Sequence, residues 1–244
     1  MRKIPALKNN QLRKKKNIFS DPENLKILPE NTTPDQLKAT MKAFSLGLGL
    51  RCLDCHVGEK GSFDSYDFAS DDKKLKRKAR VMMDMVKNIN TQQLPNLDEI
   101  EKNSRVSVEC ITCHRGQSKP ILIQDILAEE QAKNGVKSVI DKYVELREKY
   151  YGSHTYDFSK SILSRFANDN LLKNNKTDDA IELLLENLKY YPKSFFAHFT
   201  LAKAYHKKGN SALALSEYKK AFTLNPKAIF VQKIISKLEK EPSQ

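Results

Sequence analysis

The chain has no tryptophan, only five histidines, and just eight glycines and nine prolines in 244 residues. So little glycine and proline excludes a collagen-like or low-complexity chain. No run of apolar residues approaches the length of a membrane span, and nothing after Met1-Arg2-Lys3 resembles the apolar core of a signal peptide. Apolar residues make up 39% of the chain, which limits the core that protein side chains alone can build. Acid is in deficit as well: 43 Lys and Arg stand against 30 Asp and Glu, a formal net charge of +13. The excess begins in a tail where Arg2, Lys3, Lys8, Arg13, Lys14, Lys15 and Lys16 all precede the first acid, Asp21. A basic balance suits an acidic protein partner, an anionic membrane face or nucleic acid. Spread along the chain as it is here, it reads as a solvated basic surface able to steer an acidic partner, and no nucleic-acid partner is expected.

What is present is helical periodicity. Residues 1–20 read as a flexible basic arm and 21–32 as extended and turn-rich. A helix then starts on a capping box, with Thr33 as N-cap, Pro34 in the first turn and Gln36 reaching back. Its apolar face is Leu37, Met41, Phe44 and Leu48, and Gly47 and Gly49 are expected to end it. Residues 57–72, rich in Gly, Ser and Asp, read as a loop. A second helix is predicted from Asp72 to Ile89, with Leu75, Ala79, Met82, Val86 and Ile89 on one stripe. A loop over 90–105 follows, and 123–150 reads as two helical pieces broken near Asn134-Gly135.

All four cysteines fall into two copies of one motif, Cys52-Leu53-Asp54-Cys55-His56 and Cys110-Ile111-Thr112-Cys113-His114. C-x-x-C-H is the attachment signature of haem c. On a helical turn, residues i, i+3 and i+4 share a face, so both sulfurs can reach one porphyrin while the imidazole reaches its iron. A disulfide framework gives no reason for a His after each pair. A thioredoxin-like pair would need a βαβ context, which is missing. One zinc held by four thiolates is the remaining rival. Residues 56–109 separate the two pairs, however, far more than the roughly 15–20 positions of a compact zinc ribbon. The spacing therefore points to two covalent haems. Their propionates would offset part of the positive charge.

A Met/His pair closes haem iron for electron transfer, whereas an open position favours ligand binding or catalysis. Each motif is preceded by a helix carrying Met on its apolar face. Met41 is the one Met between the chain's start residue and the first motif. For the second motif the choice is among Met82, Met83 and Met85, and the apolar stripe favours Met82. Arg80 and Arg115 are candidates for contacts with haem propionates.

The runs Asn24-Leu25-Lys26-Ile27-Leu28-Pro29, Met41-Lys42-Ala43-Phe44, Cys52 to His56, Ala79-Arg80-Val81-Met82 through Asn88-Ile89-Asn90, and Val108-Glu109-Cys110 to Gly116 resemble the cytochrome subunit of photosynthetic reaction centres. The likeness covers roughly residues 21–120 and resembles one dihaem half of that four-haem protein. In that family each haem lies against a helix that supplies its axial Met, followed by a turn and the C-x-x-C-H helix. Carried over by position, the resemblance implies Met41 and His56 on one iron and Met82 and His114 on the other.

The last third has a different period. Pro192 and Pro226, Ala180 and Ala214, Leu184 and Tyr218, and Leu171 and Tyr205 pair at a spacing of 34, the tetratricopeptide (TPR) repeat length. The better copy places Leu201, Ala202, Tyr205, Ala214, Tyr218, Ala221 and Pro226 at the helix-packing positions, while the first departs at Asn168 and Asn187. A final helix, Ile229 to Leu238, is expected to cap the stack. Tyr156-Asp157-Phe158-Ser159 with the following repeat resembles tails on varied exported bacterial proteins.

The sequence thus predicts an all-α protein: a basic arm (1–20), a dihaem c-type cytochrome domain (21–122), a helical connector (123–152), and two TPR-like repeats with a capping helix (153–240). The expected function is electron transfer between redox partners rather than substrate conversion, with the repeat lobe free to hold a protein or peptide. A dihaem oxidoreductase with one accessible haem, or a metal-stapled TPR adaptor, stand as alternatives. Haem c is attached outside the bacterial cytoplasmic membrane, so a periplasmic or otherwise exported location is expected, with a leader or anchor lying outside this sequence. Membrane association is expected only through such a segment.

Overall fold

A computed structural model describes residues 17–97 and 106–240. The charged residues of the arm at positions 2–16, and residues 98–105 of the loop predicted before the second motif, lie outside the described residues. The protein is mostly helical and its one sheet, among the described residues, has two strands. The chain divides into two units, Met1–Pro120 and Ile121–Gln244. No helix among the described residues is long and apolar enough to cross a membrane.

In the first unit, α1 (Pro34–Leu48) begins on the expected box: Gln36 N–H donates to Thr33 Oγ1 at 3.3 Å, and Thr33 N–H donates to Gln36 Oε1 at 2.9 Å. Gly49 stops the helix in the left-handed region at φ +65°, while Gly47 lies inside it. The short helix α2 (Cys52–Cys55) follows. The stretch read as a loop contains an antiparallel hairpin, β1 (Val57–Glu59) and β2 (Ser62–Asp67), turning through Gly61 at φ +90°. Phe63, Tyr66 and Phe68 stack along it at 5.2 and 5.4 Å between successive ring centroids, and such aromatic contacts favour extended chain where Gly and Ser had suggested a loop. Helix α3 (Lys74–Asn88) runs into a wider π-type turn at Ile89–Gln93, and α4 (Cys110–His114) closes the unit.

The second unit starts with α5 (Ile123–Tyr150), which kinks at Gly135 (φ +80°, ψ −175°), at the break expected near Asn134-Gly135. The sequence predicts a connector over 123–152. In the structure Ile123, Leu127, Val139 and Tyr143 share one core with Phe158, Leu163, Leu171, Leu183 and Leu184, so this stretch is built into the second unit. The helices α6 (Ile162–Phe166), α7 (Thr177–Tyr190), α8 (Phe195–Lys207), α9 (Ser211–Leu224) and α10 (Ile229–Leu238) follow. The bounds of α9 fall 34 residues after those of α7. Successive helices from α7 to α10 pack on one another. Ala202, Ala214, Tyr218, Val231, Ile235 and Leu238 form a second cluster beneath α10. Helix α6 gives way to a π-type turn over Ala167–Leu171, where the Asn168 amide donates to Asp169 Oδ1 at 2.9 Å. Asn187 is fully buried and donates to Ser164 Oγ at 2.7 Å.

Candidate functional site

Both cysteine motifs form short helices with the same local device. The residue before the second cysteine reaches back to the backbone N–H preceding the first: Arg51 N–H donates to Asp54 Oδ2 at 2.6 Å, and Glu109 N–H to Thr112 Oγ1 at 3.0 Å. This closes the first turn and puts both sulfurs of each pair on it. None of the four cysteines is in a disulfide. Burial pushes the Cys55 thiol up, with Asp54 adding to it, and burial does the same to Cys110. Among the described residues no group of three or more His, Cys, Asp or Glu is placed to hold a metal ion, so the four cysteines are not gathered into one tetrathiolate site.

The two histidines are presented differently. His114 ends α4, and Arg115 at φ +49° turns the chain away from it. The ring is buried, and its Nδ1 lies 2.8 Å from the Gln117 carbonyl oxygen, which can only accept. That bond fixes the proton on Nδ1 and leaves Nε2 as the free lone pair, the arrangement an iron-binding imidazole requires. His56 lies just past α2 in extended backbone and leads into β1. Its ring sits edge-on to Phe68 at 5.0 Å, and its Nδ1 is buried without a hydrogen-bond partner. Burial, helped by Lys76, pushes the His56 pKa down and so favours the neutral form that can ligate a metal.

A cavity of about 380 Å³ lies against the first motif. Cys52, Cys55 and His56 line it, and so do Leu37, Met41, Phe44 and Leu48, the whole apolar face expected for α1. From α3 it meets Lys76, Ala79, Arg80 and Met83, so of the predicted apolar stripe only Ala79 reaches this wall. Met82 is not among its lining residues. Residues 75, 86 and 89 are likewise not among its lining residues, and Asn90, beyond α3, is tied to the approach to the second motif. The Asn90 amide donates to the Val108 carbonyl at 2.8 Å and accepts from the Val108 N–H at 2.8 Å, two residues before Cys110. Helix α1 packs on α4, where a side chain at Gly47 would press on Ile111 and the Gly116 N–H donates to the Gly47 carbonyl at 2.9 Å. Helix α3 packs on α2.

These donors suit haem c: paired thiols on single turns, one imidazole with its Nε2 freed, another half-buried at the edge of the cavity, and a thioether lining the same cavity. Arg80 pairs with Asp71 at 2.6 Å and Arg115 is exposed at the end of α4. Met83, a candidate for the second motif, lines the first-motif cavity instead, and Phe68 and Asp71 carry no motif in the sequence. Asn90 stood in the run that carried the family likeness, which was its one available signal.

The family model described as photosynthetic reaction centre cytochrome C subunit matches residues 4–168. No curated protein matches the chain.

Proposed function

The chain belongs to the photosynthetic reaction centre cytochrome c subunit family, and on that premise we propose that it is an exported electron carrier holding two covalent haems, each closed by His and Met. The supporting observation is how the first unit uses its helices. α3 is amphipathic and buries none of its residues, and the apolar face of α1 looks onto the cavity beside Cys52, Cys55 and His56. Such faces need a large apolar partner.

Cys52 and Cys55 would hold one haem, with His56 and Met41 to ligate its iron. Cys110 and Cys113 would hold the other, with His114 and Met82. Haem so closed supplies one-electron chemistry between ferric and ferrous iron without binding substrate. The chain's own part is to position and exclude. Gln117 orients His114, Phe68 packs on His56, and Leu37, Phe44 and Leu48 keep water from the first site. Arg80 and Arg115 are the side chains assigned to the propionates.

The second unit carries two TPR-type repeats, α6 with α7 and α8 with α9, under the capping helix α10. It offers a surface for a protein or peptide, and the basic balance of the chain favours acidic redox partners.

The test is a pyridine haemochrome spectrum with intact mass on the full chain, exported with an added leader in a host that matures c-type haem. Two covalent haems per chain, low-spin in both oxidation states, are expected. The reduced protein should bind no carbon monoxide at neutral pH. A chain without covalent haem overturns the reading, and ready carbon monoxide binding removes at least one Met ligand and favours the oxidoreductase.

A further inference from the structure

Asp71, in the loop between β2 and α3, sits at the centre of a charged cluster behind the first-motif cavity: Asn24, Lys76 and Arg80 line that cavity, and Asp71 holds them from outside the lining. Its carboxylate meets Arg80 Nη1 at 2.6 Å, Lys26 Nζ at 2.8 Å and Lys76 Nζ at 3.4 Å, and accepts from Asn24 Nδ2 at 3.1 Å. The second Arg80 nitrogen donates to the Asn24 carbonyl at 2.9 Å. Lys76 Nζ also donates to the carbonyls of Phe68 and Ser70 at 2.7 Å and of Ala69 at 3.1 Å. Asn24 and Lys26 sit at φ +63° and +40°, a costly region for non-glycine residues, so this turn is held by its surroundings.

The charges do not balance. Three cations surround one carboxylate, and two of them, Lys76 and Arg80, are only 12% and 16% exposed and line the cavity. The acids on the same cavity do not answer them. Asp21 and Glu23 are exposed, and Asp67 accepts from the backbone N–H groups of Ala69 and Ser70. Cations sunk into a wall with too little counter-charge are costly unless an anion faces them. A haem brings two carboxylates.

We infer that Asp71 is the positioning residue of the first haem: it holds Arg80 and Lys76 against the cavity wall, where their excess charge meets the propionates, and its own charge sets how positive that wall is. This rests on the reading of Cys52–His56 as a haem site. Uptake of one electron lowers the charge on the haem by one, so a more positive wall favours the reduced form and raises the midpoint potential. Removing Asp71's charge should therefore raise that potential, and removing a cation should lower it. A loop tie with no electrostatic role would alter stability and leave the potential alone.

The experiment is a potentiometric titration of the full-length holoprotein as unmodified chain, Asp71→Asn, Asp71→Glu and Lys76→Gln, with haem content measured on each sample. Asp71→Asn should raise the potential of one haem and leave the other in place, Lys76→Gln should shift the same haem downward, and Asp71→Glu should stay near the unmodified value. If Asp71→Asn fails to mature, the opposite behaviours of Lys76→Gln and Asp71→Glu carry the test. Two haems with unmoved potentials in Lys76→Gln, or equal shifts in Asp71→Glu and Asp71→Asn, overturn the assignment. An unmodified chain lacking haem on Cys52 and Cys55 overturns the function beneath it.

Discussion

Between residues 17 and 120 the described chain buries one apolar side chain, Leu37, beside Gly47 and His114. From 121 to 240 it buries a continuous set, with Ile123, Leu127, Val139, Tyr143, Leu163, Leu171, Leu183, Leu184 and Leu201 all nearly free of solvent. Composition is only part of the reason: α3 is the more polar helix, but both α1 and α3 are amphipathic, as α7 is. The helices of the second unit turn those faces onto each other. In the first unit α1 turns its face onto the cavity beside Cys52, Cys55 and His56. One unit closes its core with its own side chains, and the other is shaped to wrap a prosthetic group. A small domain can fold this way because the bound group supplies the missing apolar area, and binding energy then becomes folding energy.

Breaking the thioether attachment should widen this difference most. Replacing Cys52 and Cys55 by Ala should remove one haem from the intact mass and strip much of the helical signal of α1 and α3. The transition of the second unit should stay where it was, as read by circular dichroism melts of the full chain. The reverse cut is Leu183→Ala in α7, a fully buried site. It should destabilise the second unit by about 2–5 kcal/mol and leave the haem spectrum unchanged.

A smaller effect is expected at Gly49, where a Cβ would run into the Gly116 carbonyl oxygen and φ is +65°. Gly49→Ala should cost roughly 1–3 kcal/mol in the first unit and loosen α1 from α4, read as a lower melting point of the haem spectrum.

The smallest effect is pH-dependent and belongs to the second unit. His198 Nδ1 meets Glu217 Oε2 at 2.5 Å and its Nε2 meets the Pro192 carbonyl at 2.9 Å, so both ring nitrogens face acceptors. The Glu217 contact raises the His198 pKa against burial and the nearby Lys220. Burial pushes Glu217 up, but hydrogen bonds from His198 and Lys220 prevail and its pKa is lowered. The His198 contribution is thus complete below the ordinary histidine value of about 6.5 and is lost as pH rises through the raised one. The Glu217 contribution is present above its ordinary value of about 4.3 and is lost as pH falls below it. Melting of the second unit should be highest between these limits and fall on the alkaline side, and His198→Gln should flatten that fall.

The parts of this account that were legible in the sequence are those governed by local rules. Thr33 and Gln36 marked the start of α1, Leu37, Met41, Phe44 and Leu48 its inner face, Gly135 the kink in α5, and Ile229 to Leu238 the last helix. The hairpin was hidden because Gly58, Gly61 and Ser62 look like loop chemistry, while the aromatic contacts that hold it depend on register. The side of α3 that meets the first-motif cavity was not legible because its positions include Lys76 and Arg80, polar residues that an apolar stripe passes over. Asp71 was invisible for a related reason: its partners Asn24 and Lys26 lie more than forty residues earlier, and only folding brings them together.

The most direct test of the difference between the two units is hydrogen exchange on the full-length chain, matured with haem and prepared without it. With haem, amides of α1, α3 and both cysteine helices should be protected together with those of α5 to α10. Without it, α5 to α10 should keep their protection and α1 and α3 should exchange freely. Full protection of α1 and α3 in the haem-free chain would mean that the first unit has a sufficient core of its own, and would contradict the account.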